Sequence, residues 1–180
     1  MSKIQAAIGI SIVKHLLLTA TVMTAVGSCM PSSAAEPAFL ELEVLSAKDV
    51  SEIDLLVQKV HESVNQYRAE RNLPPLSLNT YISQQAETHS QNMAQQVVKF
   101  SHQGFKDRIE ALDGRVIYRR AAENVAYNQG YQDPAQKAIA GWIESKGHHK
   151  NMVGDFNLTG IGVAKNKQGE YYFTQIFIKE

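Results

Sequence analysis

The chain has 180 residues, 44% of them hydrophobic, which is enough to close a substantial core within one domain. Eighteen basic residues balance eighteen acidic ones, so the charge does not favour nucleic acid or an acidic polymer as partner. Cys29 is the only cysteine, which excludes an intramolecular disulfide and a zinc site built from cysteines.

Residues 1–28 read as a signal sequence. Lys3 and Lys14 flank a moderately apolar opening, and Leu16 to Val26 is uncharged and too short to cross a bilayer comfortably. Val26-Gly27-Ser28-Cys29 resembles the lipobox of bacterial lipoproteins, in which Cys29 is lipidated and becomes the mature N-terminus. Ser33-Ala34-Ala35 is the competing site for an ordinary signal peptidase. Removal of 1–28 leaves 16 basic against 18 acidic residues, so the mature chain has no electrostatic attraction to an anionic membrane. Any membrane contact would come through a lipid anchor. The expected location is extracytoplasmic, either secreted or anchored as a lipoprotein.

Residues 29–50 read as a tether and 51–180 as the domain. Ser51 and Asp54 have capping-box spacing ahead of Ile53, Leu56, Val57, Val60, Val64 and Tyr67, which predicts a helix to about Arg71. Pro74-Pro75 stops it. Asn79 or Thr80 caps a second helix with Tyr81, Ile82, Ala86, His89, Met93 and Val97 on its inner stripe. His89 reads as a satisfied core histidine and His61 as a surface one. Phe100-Ser101-His102-Gln103-Gly104 breaks the pattern and puts a histidine in a turn, where packing gives no reason for one. A short helix follows over Phe105–Leu112, with Ile109 and Leu112 inward.

Ala121 to Tyr127 alternates from Glu123 onward and predicts a short strand, and a glutamate at such a strand start is ordinarily solvated. Asp133 and Pro134 open a fourth helix with Ala138, Ile139 and Trp142 inward, Trp142 as a core anchor. Glu144 and His148 lie four apart, so one helix would bring them to one face, with Gly147 as the expected helix end. Leu158–Ala164 and Tyr171–Ile178 form strand-like runs around a turn at 166–169. Helices first and antiparallel strands last give an α+β protein.

Taken together, Asn65-Gln66-Tyr67-Arg68 with Leu73-Pro74-Pro75-Leu76, Phe100-Ser101-His102, Ala122-Glu123-Asn124-Val125 and Trp142 with Gly147-His148-His149-Lys150-Asn151 resemble the CAP superfamily over residues 55–180. That superfamily comprises cysteine-rich secretory proteins, antigen 5 and pathogenesis-related proteins, and the chain is similar to its bacterial, SCP-like branch. The resemblance implies an α-β-α sandwich with a small antiparallel sheet between helices. It also implies a cleft of two histidines and two glutamates able to hold a divalent metal. His102, Glu123 and His148 fall on three of those positions. Glu144 is the nearest acid to the fourth, one residue early, where the family pattern points to Ser145. His149 stands where bacterial relatives usually carry arginine, which makes it a surface or phosphate-like contact rather than a ligand.

Two imidazoles with one or two carboxylates suit zinc, with water in the open positions and Glu123 able to orient a ligating imidazole. The preferred function is a binding module whose cleft takes a metal and a lipid, sterol or peptide. A metal-dependent, peptidase-like hydrolase and a structural or adhesive domain without a working cleft are the alternatives.

Overall fold

A computed structural model of the chain describes residues 51–180. The signal sequence, the tether and the lipidation site at Cys29 lie outside the described residues.

Helix α1, Glu52–Ala69, starts on the anticipated capping box: Ser51 Oγ accepts the Asp54 amide at 3.1 Å, and the Asp54 carboxylate accepts the Ser51 amide at 3.3 Å. Leu56, Val60 and Val64 form its buried stripe, which ends on a fully buried Arg68. The Arg68 guanidinium donates to the carbonyls of Pro74 (2.9 Å), Met152 (2.8 Å), Gly154 (2.9 Å) and Phe156 (3.3 Å), so burial does not leave its charge without acceptors. His61 is half-buried rather than on the surface, because its Nε2–H reaches the Leu76 carbonyl at 2.8 Å.

Strand β1, Ser77–Leu78, is a two-residue element without a sequence signal of its own. Helix α2, Thr80–Ala94, is capped by Asn79 Oδ1, which accepts from the amides of Tyr81 and Ile82. Ile82, Ala86, His89 and Met93 are buried as the spacing predicts, but Tyr81 is 42% exposed and Val97 67% exposed. Tyr81 is one position off the stripe, and Val97 lies beyond the helix, which ends at Ala94. Helix α3, Phe105–Glu110, follows Gly104 in the left-handed region (φ 76°).

Strand β2, Arg120–Gln129, is longer than the alternation indicates. Helix α4, Pro134–Glu144, stops at Ser145, whose backbone is extended (φ −85°, ψ 116°), and helix α5, Lys146–Met152, begins at once. Gly147 therefore lies inside α5 and does not end a helix. Glu144 and His148 belong to two helices separated by an extended residue, and the shared face predicted for a continuous helix does not form. Strands β3, Leu158–Lys165, and β4, Glu170–Lys179, complete the sheet in the order β1-β3-β4-β2. The long pairings are antiparallel, and the short β1 pairs in parallel with β3.

Central strand β4 sorts the two helical layers by parity. Phe173 and Phe177 face α1, α4 and α5, whereas Ile176 and Ile178 face α2 and α3. The result is the expected α-β-α sandwich. Gly160 and Gly162 on β3 let α2 approach closely, since a Cβ on either would overlap the α2 backbone at Ile82–Ser83 or Ala86–Glu87.

Candidate functional site

The four residues singled out from sequence reach one end of the sandwich unequally. Glu123 is on edge strand β2 with the parity of Val125, which packs against Met93, so its side chain stands on the face covered by α2 and α3. It is not solvated: its side chain is 1% exposed. A carboxylate so deeply buried requires compensating charge. Arg108 of α3 supplies it through Nε to Oε2 at 3.0 Å and Nη2 to Oε2 at 2.8 Å and Oε1 at 2.9 Å. The guanidinium is itself only 11% exposed and also donates to the Gln103 carbonyl at 2.9 Å. This planar, forked pairing fixes the carboxylate plane.

His102 completes the arrangement. Its Nδ1 lies 2.9 Å from Glu123 Oε1, and a carboxylate engaged by a guanidinium accepts there, so Nδ1 carries the proton and the Nε2 lone pair is left free. The loop that presents His102 is held from below by His89, whose Nε2–H donates to the Ser101 carbonyl at 2.9 Å. Burial pushes the His89 pKa below its ordinary value, which keeps that ring neutral.

His148 comes from the opposite layer, on α5. Its ring centroid is 5.8 Å from that of His102. Burial lowers its pKa, and the neighbouring His102 lowers it further. Helix α5 is tied to the β2 edge by asparagines. Asn124 Nδ2 donates to the His148 carbonyl at 3.1 Å. Asn151 Nδ2 donates to the Glu123 carbonyl at 3.2 Å and to Asn124 Oδ1 at 2.9 Å. Trp142 is buried and its indole N–H donates to the Val125 carbonyl at 3.0 Å, so the anchor on α4 also caps the edge strand.

The structure thus brings together His102, His148 and Glu123. Glu144 lies exposed at the end of α4 and enters none of these hydrogen bonds. His149 turns to α1, with Nε2 3.1 Å from the Tyr67 hydroxyl and the two rings edge to face. Sequence reasoning missed Arg108, and it used Asn124 and Asn151 as marks of resemblance without giving them a role at the site. Arg108 carries one faint signal: it directly precedes the inward Ile109 on a short helix, which puts it at the border of the buried face.

Among the described residues no cluster of three or more His, Cys, Asp or Glu side chains could hold a metal ion. The geometry explains this. Glu123 is engaged by Arg108 and His102, so the donors left for a metal are the two imidazoles. Such a set fits an open site completed by water, not a closed structural one.

With this geometry in hand, the comparisons with known proteins are consistent. The sequence model of the cysteine-rich secretory protein (CAP) family matches residues 61–177. The chain is 34% identical over 129 residues to the membrane protein YlbC of Bacillus subtilis, spanning 68% of this chain and 34% of that one. It is 30% identical over 145 residues to YkwD of the same organism, spanning 79% of this chain and 54% of that one. An extracellular protein of Bacillus anthracis containing an SCP domain superposes with a TM-score of 0.58 at 28% identity, over 71% of this chain and 41% of that one. The chain therefore spans between about a third and about half of the length of these three relatives. No described helix is long and apolar enough to cross a membrane.

Proposed function

As this chain belongs to the CAP family of cysteine-rich secretory proteins, we propose that it is an extracytoplasmic binding module whose cleft takes a divalent metal, zinc by the chemistry of its donors, through His102 and His148. One observation carries the reading: two imidazoles from opposite layers stand 5.8 Å apart, and one has its Nδ1 engaged by a buried, arginine-clamped glutamate. That carboxylate–imidazole contact orients a ligating ring and fixes its tautomer, so Glu123 acts behind His102 rather than beside it. Zinc in such a setting supplies Lewis acidity and can activate a water. Arg108 and Glu123 hold the His102 ring, Asn124 and Asn151 hold the helix that carries His148, and water is left to fill the remaining positions. The extracytoplasmic placement accords with the extracellular relative, and the proposed anchor is a lipid on Cys29. The organic ligand of the cleft would be a lipid, a sterol or a peptide.

Calorimetry with zinc tests the proposal. One equivalent should bind at neutral pH and bind far more weakly at pH 5, because a metal requires neutral imidazole. His102→Ala and His148→Ala should each reduce the affinity strongly, Glu123→Gln less, and Glu144→Gln and His149→Ala least. Wild-type zinc affinity in the protein lacking both His102 and His148 would overturn the assignment. For the anchor, incorporated fatty-acid label should disappear in Cys29→Ala.

A further inference from the structure

His102 reaches Glu123 from a stretch, residues 99–104, that belongs to no helix or strand, so no hydrogen-bond ladder sets its position. Its carbonyls are held one at a time instead. Lys99 accepts from Ser101 Oγ at 3.2 Å and His102 from the Phe105 amide at 3.1 Å, both close neighbours in the chain. Ser101 and Gln103 accept from side chains beneath: His89 Nε2–H of α2 and Arg108 Nη1 of α3, each at 2.9 Å. These two bonds join the loop to the layer that buries Glu123.

Packing gives position 89 no reason to be an imidazole. It is 2% exposed, and its companions on the buried stripe, Ile82, Ala86 and Met93, are apolar. An aliphatic side chain would fill the place without the cost of burying polar atoms. That cost is offset where the buried group meets a partner, and the Ser101 carbonyl is the partner it has. Gly104 points the same way. Its φ of 76° turns the chain at the end of the loop, and a Cβ there would stand 3.3 Å from Arg108 Nη1, the atom that holds the Gln103 carbonyl. The turn is shaped around its two donors.

We infer that His89 is a positioning residue for the metal site: without touching the metal, it sets where the loop stands, so that the His102 Nδ1–H meets Glu123 and the Nε2 lone pair is presented beside His148. The inference rests on the reading of His102 and His148 as the metal pair. Both ends of the bond from Nδ1–H to Oε1 are then fixed from one layer, Glu123 by Arg108 and the loop by His89 and Arg108 together. Removing the group that orients a ligating ring costs about 10–100-fold in metal affinity. His89 acts one step further out, through the backbone, so the lower end of that range is expected.

The test is zinc calorimetry and imidazole-resolved NMR on the same samples of the purified full chain at neutral pH. In the wild type the His102 Nδ1–H should give a proton signal sheltered from exchange with water. His89→Met fills the space without a donor, so it should lose that signal and bind zinc about ten-fold more weakly. His89→Gln carries an N–H the same number of bonds from the backbone as Nε2, so it should keep the signal and bind within about three-fold of wild type. Val60→Ala, buried on α1 in the opposite layer, lowers stability without touching the loop and should leave zinc affinity unchanged. One measurement needs no variant: coupling between sites is reciprocal, so zinc should slow exchange of the His89 Nε2–H with water by about ten-fold. The inference is overturned if folded His89→Met binds zinc like wild type, or if His89→Gln binds no better than His89→Met. It is overturned equally if Val60→Ala weakens binding as much, or if zinc leaves exchange of the His89 Nε2–H unchanged. A wild-type chain that binds no zinc defeats the metal proposal, whereas the His102 Nδ1–H signal is read without metal, and its indifference to position 89 would defeat the positioning role alone.

Discussion

Replacing Arg108 by methionine should be among the most destabilising single changes in the described domain. The methionine keeps much of the aliphatic stem and removes the fork that clamps Glu123. What remains is a carboxylate with a side chain 1% exposed, in contact with His102 alone. Breaking one half of a buried, hydrogen-bonded ion pair costs about 3–5 kcal/mol, because the surviving charge is neither solvated nor compensated. Glu123→Gln should cost less, about 1–3 kcal/mol, because the orphaned guanidinium is 11% exposed and keeps its bond to the Gln103 carbonyl. The double variant Arg108→Met/Glu123→Gln buries no net charge, so it should cost less than the two single changes added together, with a coupling of about 1–3 kcal/mol. Urea unfolding at pH 7, with the slope m constant across the series, measures all three. A loss under about 1 kcal/mol in Arg108→Met, or strict additivity in the double variant, would refute the view that this pair is what makes burial of Glu123 tolerable.

Trp142→Ala should lose about 3–5 kcal/mol in the same assay, because it empties a buried position and leaves the Val125 carbonyl without its donor. A change near zero would contradict the packing of α4 described above. Gly162→Ala should destabilise by at least about 1–3 kcal/mol, since its Cβ would overlap the backbone of α2. Gly169→Ala, in the exposed hairpin with open space around it, is a useful contrast, because its cost comes from backbone conformation alone. Stability should also fall as the pH drops below about 6.5. The His89 pKa is depressed in the folded protein, so its contribution is complete above the unfolded value of 6.5 and is lost as the pH falls from there through the folded value. The slope contributed by His89 is about 1.4 kcal/mol per pH unit within that window. Unfolding midpoints that stay level between pH 7 and pH 5 would show that His89 accepts a proton without penalty.

Where local rules decide the outcome, the sequence was readable. The Ser51–Asp54 capping box, the 56–60–64 stripe, the strand-like run of β4 and the buried Trp142 each depend on spacing within a few residues, and all are present. The approach of His102 and His148 to Glu123 was legible only through resemblance, since 46 residues separate the two histidines and no local pattern sets that distance. What escaped was long-range or depended on a single backbone angle. Arg108 resembles any solvated charge on a six-residue helix until Glu123, 15 residues on, is known to be buried. Glu144 and His148 have ideal helical spacing, and one extended residue, Ser145, undoes it. His61 and Val97 were misjudged in opposite directions. The first is drawn inward by the Leu76 carbonyl, and the second is left outside by a helix that ends three residues before it.

The hydrogen bonds that Asn151 and Trp142 donate to β2 have a consequence outside the cleft. A sheet with a long unpaired margin invites a second molecule to continue it, and growth of that kind leads to fibres and exchanged strands. On β2 the carbonyls of Glu123 and Val125 are already occupied by Asn151 and Trp142, so an incoming strand would have to displace them. On the opposite margin the outermost strand is β1, two residues long, which is too short a template for stable addition. Side chains on β2 and brevity on β1, which pairs only with Leu158 and Thr159, thus reduce what either margin offers to an added strand. A domain built this way is less prone to merge its sheets when many copies are held at high local density.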